Sequence, residues 1–225
     1  ILNCRDLGGF PTQYGITQFG RFLRAGVVAT PTDEDIKALE EYGVKTVIDL
    51  RGDFETINTP TCFERINGVE LHHISLYESN AATDDLEMTL QEIYVKIVEE
   101  YKHNIKALFD VIANAPDGVI MFHCFFGKDR TGILSMLLLT VAGAAIEDII
   151  ANYELTYTYI LPYINVHIKE LWNQNMSAHY SLAETISSLI LFLDEKYGSV
   201  LNYIKSCGVT DEEIDKIRKR FFEKG

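Results

Sequence analysis

Residues 119 to 139 read VIMFHCFFGKDRTGILSMLLL, two strongly apolar segments with His123, Cys124, Lys128, Asp129 and Arg130 set between them. The first segment, Gly118 to Phe122, has the β-branched and apolar character of a buried strand, and the second continues as a core helix starting near Arg130. Gly127 lies in the loop that joins them. Strand, loop, helix is therefore the predicted order, and it brings backbone N–H groups to the positive end of a helix. An anion-binding nest follows wherever such a loop curls around a common centre.

Upstream, Val44 to Leu50 and Val69 to Leu76 read as further strands, and Arg21 to Arg24 as another that follows a glycine-rich extended stretch. Helices are predicted over Thr32 to Gly43, with Thr32 as N-cap and Asp35 in the first turn, and over Leu86 to Tyr101 and Ile105 to Ala113. Downstream of Thr131 the pattern is helical to the end, with a break at Pro162 and capping boxes at Ser181/Glu184 and Thr210/Glu213. Strands alternating with helices imply an α/β fold with a small, largely parallel sheet, followed by a helical half. With 225 residues and neither repeats nor linkers, one domain over residues 1–225 is expected.

Composition bounds the function. The formal charge of −13 argues against nucleic acid or an anionic membrane face as partner, so an anion must be caught locally. The acidic runs Glu34 to Glu41 and Asp84 to Glu100 read as solvated surface. The apolar run Ile133 to Ile146 is shorter than the roughly 18 to 20 residues that span a bilayer, so no stable membrane insertion is expected. No charged-then-apolar leader opens the sequence, and a cytoplasmic or secreted location is expected. The four cysteines, Cys4, Cys62, Cys124 and Cys207, are far apart and suggest neither zinc nor a disulfide framework. No cofactor is expected.

The loop is not a Walker A phosphate loop, because Lys128 is followed by Asp129 and position 122 is not glycine. What remains is Cys124 separated from Arg130 by five residues. A cysteine among helix N–H groups and two cations is expected to ionise readily. Lowering a thiol pKa from about 8.5 to about 5.5 takes roughly 4 kcal/mol, within reach of two or three hydrogen bonds to a charged acceptor at about 1.5 to 3 kcal/mol each. The same donors would hold a phosphoryl group in line for sulfur attack, with Arg130 gripping two of its oxygens. Phosphoryl transfer through a covalent cysteinyl phosphate is the predicted chemistry. Sulfur transfer of the rhodanese type and a silent phosphate-binding module are the alternatives.

HCFFGKDRTG resembles the loop HCxxGKDRTG of the atypical bacterial tyrosine phosphatases, a branch of the cysteine-dependent phosphatases that also accepts phosphoserine, phosphothreonine and phosphoinositides. The similarity extends along the chain: Asn3 to Gly9 resembles NFRDLGG, Val47 to Arg51 resembles VVDLR, and Tyr197-Gly198-Ser199 and Gly208 to Glu213 resemble YGS and GLTDEE. The resemblance implies a cysteine-dependent phosphatase fold and a phosphorylated protein or phosphoinositide as partner. It makes Cys124 the nucleophile, Arg130 and Lys128 phosphate ligands together with the loop residues Phe125, Phe126, Gly127 and Thr131, and Asp129 the general acid. Nearby cations would lower the pKa of Asp129 and oppose that role. Glu78 is the next choice for the acid, where the family often has aspartate, with Asp84 and Asp85 behind it.

Thr131 either donates to the cysteine sulfur or caps the helix, and His123 is expected to orient the loop. Arg51 either reaches substrate or pairs with Asp49, and Arg5 carries the same ambiguity. Cys4 departs from the family's aromatic. The aromatic cluster Tyr153, Tyr157, Tyr159, Tyr163 and Trp172 reads as core packing or as a lid over the pocket.

Overall fold

The computed structural model describes residues 1–27, 31–78, 88–171 and 180–223, without the side chains of 168–171. Its first half alternates strands and helices: β1 (Arg5–Asp6), the hairpin β2 (Pro11–Thr12) and β3 (Gly15–Ile16), β4 (Phe22–Gly26), α1 (Asp33–Glu41), β5 (Val44–Asp49), α2 (Asp53–Asn58) and β6 (Glu70–His73). There follow α3 (Leu90–Glu100), α4 (Lys102–Asn114), β7 (Val119–Cys124), α5 (Asp129–Ala142), α6 (Ile146–Leu171), α7 (Ala183–Tyr197), α8 (Val200–Ser206) and α9 (Asp211–Phe222). The main sheet has the order β1-β4-β7-β5-β6. β4, β7, β5 and β6 run parallel and β1 alone is antiparallel to its neighbour.

β7 lies in the middle of the sheet, which explains its unbroken burial. Its side chains alternate: Val119 and Met121 pack with Ile36, Leu39 and Phe63 beside α1, while Ile120, Phe122 and Cys124 face the larger helical layer. α5 forms the centre of that layer and is buried on nearly every side, from Arg130 to Ala142, so its sequence shows no polar face. Gly26 pairs with Cys124 in register, and His123 stands between Ala25 and Asp49.

Thr32 is the expected N-cap of α1 and closes a capping box with Asp35, Thr210 and Glu213 form the expected box, and Thr89 with Glu92 adds a third. Two expectations fail. α6 runs through Pro162: Ile160 and Ile164 are buried on either side of it, and Tyr163 packs on Phe126 with ring centroids 5.7 Å apart. That packing outweighs a proline penalty of about 3 kcal/mol. Ser181 does not cap α7, whose N-cap is Leu182. The Ser181 hydroxyl instead bridges the α6 backbone, accepting from the Tyr157 N–H at 2.8 Å and donating to the Glu154 carbonyl at 2.9 Å. α2 is a helix the sequence pattern did not announce. Asp84, Asp85 and Trp172 lie outside the described residues, as does part of the expected lid.

Candidate active site

β7 ends on Cys124 and α5 begins at Asp129, so Phe125, Phe126, Gly127 and Lys128 make the whole connection. The turn is tight enough to need two glycines. Gly127 has φ of +66°, and a Cβ there would lie 2.6 Å from the Ala25 backbone. A Cβ on Gly26 would lie 2.8 Å from the Phe126 carbonyl carbon. β4 therefore supports the loop from below, and the Val27 N–H reaches the Cys124 and Phe125 carbonyls, both at 2.9 Å.

The loop carbonyls are held from outside. Asn3 donates its amide to the Phe126 carbonyl at 3.0 Å and to the Gly127 carbonyl at 2.7 Å. Arg24, fully buried, also donates to the Gly127 carbonyl at 2.7 Å, and to Asn152 Oδ1 at 2.6 Å. A trans peptide sets its N–H opposite its carbonyl, so these grips turn the N–H groups of Gly127 and Lys128 away from Asn3 and Arg24. The first N–H groups of α5 lack intrahelical partners, as at any helix start. Arg5 completes the outer frame, donating to the Asn152 carbonyl at 2.7 Å and to Thr156 at 3.1 Å. Burial lowers its pKa to about 10.

Arg130, nearly buried, forms a two-pronged ion pair with Glu55 of α2. Nη2 donates to Oε1 at 2.8 Å and Nη1 to Oε2. The Gly52 N–H donates to Glu55 Oε2 at 3.0 Å, fixing the acid in turn. Burial pushes the Glu55 carboxyl up, but the bonds and charge of Arg130 outweigh it, so its pKa lies below the ordinary value. Sequence reasoning missed Glu55. The acid three residues after Gly52 is a helix-start signal, but nothing local ties it to a residue 75 positions away.

Asp129, one third exposed, accepts on Oδ1 from Lys128 Nζ at 2.7 Å and from the Tyr94 hydroxyl at 2.7 Å. Burial acts to raise its pKa, but Lys128, Tyr94 and Arg130 prevail and hold it down. Lys128 is itself buried and also donates to the Tyr180 carbonyl at 3.4 Å.

Other predicted residues lie at the edge of this arrangement. Glu78 is spent on the start of α2, where its carboxylate accepts from the Asp53 N–H at 3.0 Å. Arg51 is fully buried and bonded to Asp49, Nη2 to Oδ2 at 2.7 Å, and Nη1 reaches the Thr59 carbonyl at 2.8 Å. His123 is fully buried, with Nδ1 at 3.4 Å from the Cys124 carbonyl and the Phe63 ring edge-on. Burial lowers its pKa to about 4, so the ring is neutral at pH 7. Thr131 Oγ1 is buried and makes no hydrogen bond among the described residues. Phe125 and Phe126 pack edge to face at 5.0 Å, and α6 extends this aromatic surface through Tyr163 and His167. Cys4 is a free thiol whose pKa burial raises to about 11. Among the described residues no group of three His, Cys, Asp or Glu could hold a metal ion, and no helix is long and apolar enough to cross a membrane.

Cys124 closes the central strand, Arg130 lies in the first turn of the next helix, and a largely parallel sheet stands behind them. The sequence profile of the tyrosine phosphatase family matches residues 1–223. The chain belongs to that family, and as a protein-tyrosine phosphatase it is a hydrolase of phosphate monoesters. A tyrosine-protein phosphatase of Nostoc commune is 30% identical over 220 residues, 91% of this chain and 75% of the relative. A putative tyrosine-protein phosphatase of Cupriavidus necator is 31% identical over 68% of this chain and 59% of its own length. The triple specificity protein phosphatase PtpB of Mycobacterium tuberculosis is 26% identical over 44% of this chain and 42% of its own length.

Proposed function

We propose that this phosphatase acts through a cysteinyl phosphate on Cys124, with phosphotyrosine as its principal substrate and phosphoserine, phosphothreonine or phosphoinositides as further substrates. The carrying observation is Arg130, held in a fork by Glu55 in the first helical turn after Cys124. A guanidinium fixed on one edge presents its remaining donors in a set direction, as stabilising the equatorial oxygens of a transferring phosphoryl group requires.

In the first step the Cys124 thiolate attacks phosphorus, the S–P bond forms, the ester P–O bond breaks, and Asp129 gives its proton to the departing oxygen. In the second, water attacks phosphorus, Asp129 takes the water proton, and the S–P bond breaks to release inorganic phosphate and the thiolate. The N–H groups of Gly127 and Lys128, the Lys128 ammonium and Arg130 bind the phosphoryl oxygens in both steps. His123, neutral and buried, orients the end of β7 and takes no part in proton transfer. The wider substrate range draws support from the triple-specificity relative, and from a loop that addresses only the phosphoryl group common to all these esters.

Cys124→Ser should abolish hydrolysis of p-nitrophenyl phosphate and of phosphotyrosine peptides, and rapid acid quench of the wild type should trap a phosphoenzyme. A serine variant that still turns over would refute the scheme. Purified protein tested on phosphotyrosine and phosphoserine peptides and on phosphoinositide vesicles decides the range.

A further inference from the structure

Tyr94 on α3 and Tyr153 on α6 are fully buried, yet their hydroxyls meet at 2.7 Å immediately behind Asp129. The rings stand perpendicular, with centroids 6.2 Å apart. Tyr153 also lies across the start of α5: a Cβ on Gly132 would be 3.0 Å from its ring. The tyrosine pair is thus packed into the base of the catalytic loop from two helices that carry no loop residue.

Proton counting fixes the direction of these bonds. Tyr94 has one hydroxyl proton and gives it to Asp129 Oδ1 at 2.7 Å, where an ionised carboxylate has none to offer. The bond between the hydroxyls must then run from Tyr153 to Tyr94. Both hydroxyl donors then point toward Asp129. Lys128 Nζ also ends on Oδ1, so Oδ1 has two donors and Oδ2 has none among the described residues.

We infer that Tyr94, backed by Tyr153, is a positioning residue for the general acid: it ties down Oδ1 of Asp129, leaves Oδ2 to carry the proton to the leaving oxygen, and sets how strong an acid that proton belongs to. This rests on the role of Asp129 given above. The groups facing Asp129 are Lys128 and Arg130 from its own loop and helix, Tyr94 from α3 and Tyr153 from α6, with Cys124 facing Arg130 in turn. Lys128 and Arg130 also bind the phosphoryl oxygens in the scheme above, whereas Tyr94 and Tyr153 are buried behind Asp129 and have no such second role. Tyr94 is thus the donor to Asp129 that the phosphoryl group does not share. Hydrogen bonds to the ionised form favour it, so removing Tyr94 must make Asp129 a weaker acid that keeps its proton to higher pH.

The test is the pH dependence of kcat on phenyl phosphate, whose poor leaving group needs the acid, for wild type, Tyr94→Phe, Tyr153→Phe and Asp129→Asn. One hydrogen bond to a charged acceptor corresponds to a displacement of about one pH unit or somewhat more. The alkaline limb should therefore move up by that amount in Tyr94→Phe, and by less, with the same sign, in Tyr153→Phe. Asp129→Asn should remove the limb. A limb that vanishes in Asp129→Asn but does not move, or moves down, in Tyr94→Phe overturns the inference and leaves the role of Asp129 intact. A limb that survives in Asp129→Asn overturns the role of Asp129 itself. If Tyr94→Phe fails to fold, Tyr153→Phe decides alone, since it keeps the Tyr94 donor in place: an upward shift supports the inference and an unmoved limb overturns it.

Discussion

Replacing Glu55 by glutamine isolates the fork that holds Arg130. The carboxylate accepts two parallel bonds from the guanidinium, and glutamine keeps one acceptor while turning an amide N–H toward the other guanidinium nitrogen. At least one charge-assisted bond is lost, worth about 1.5 to 3 kcal/mol. Both partners are less than one fifth exposed, so solvent screening takes little away. If this free energy is expressed in the placement of Arg130 at the transition state, kcat/KM falls by about 10- to 150-fold. The assay is steady-state hydrolysis of p-nitrophenyl phosphate and a phosphotyrosine peptide, with competitive inhibition by inorganic phosphate measured alongside. Ground-state phosphate binding should weaken less than kcat/KM, because Arg130 is needed most where charge spreads over the equatorial oxygens. Near-ultraviolet circular dichroism confirms that the variant is folded. A Glu55→Gln enzyme within twofold of wild type in kcat/KM would refute the claim that Glu55 directs Arg130.

Three further outcomes follow from the same geometry. Gly26→Ala puts a methyl 2.8 Å from the Phe126 carbonyl carbon, so the loop must shift; kcat/KM should drop about tenfold or more while the protein stays folded, and unchanged kinetics would show that β4 does not support the loop. His123 should resist protonation until about pH 4. An unfolded histidine charges near pH 6.5, so stability is lost as pH falls between these values, by about 2 kcal/mol from pH 7 to pH 5; denaturant unfolding of wild type and His123→Asn should show that pH dependence in the wild type only. Cys4, with a pKa near 11, should resist iodoacetamide at pH 7.5 under conditions that alkylate Cys124, as peptide mapping would reveal.

The elements readable from the sequence were those whose signals are local. Gly118 to Phe122 and the apolar run of α5, interrupted only by Ser135 and Thr140, announced the central strand and helix, and Thr32 with Asp35 announced α1. Ser181 misled because a serine three residues before a glutamate reads as a cap whether its hydroxyl turns to its own helix or to a neighbouring one. Pro162 misled because proline marks a local penalty, and the burial of Ile160 and Ile164 that overcomes it is tertiary. The loop from Cys124 to Arg130 could be found as a motif, but its partners could not. Glu55, Tyr94, Tyr153 and Arg24 look like ordinary helix and strand residues until the fold brings them to the loop, 75, 35, 24 and 103 residues away from Arg130, Asp129, Asp129 and Gly127.

The grips on the loop carbonyls also say something about when the enzyme can come into being. Asn3 holds a loop carbonyl 124 residues distant, and Arg5, in the frame around it, holds the Asn152 carbonyl of α6, 147 residues distant. On a ribosome adding about 5 to 20 residues per second, Arg5 waits about 7 to 30 s for its partner to be made. Contacts of such separation close late, after the sheet and helices that must first bring the ends together. The anion cradle should therefore be absent from the folding transition state, and phosphate should slow unfolding without hastening folding.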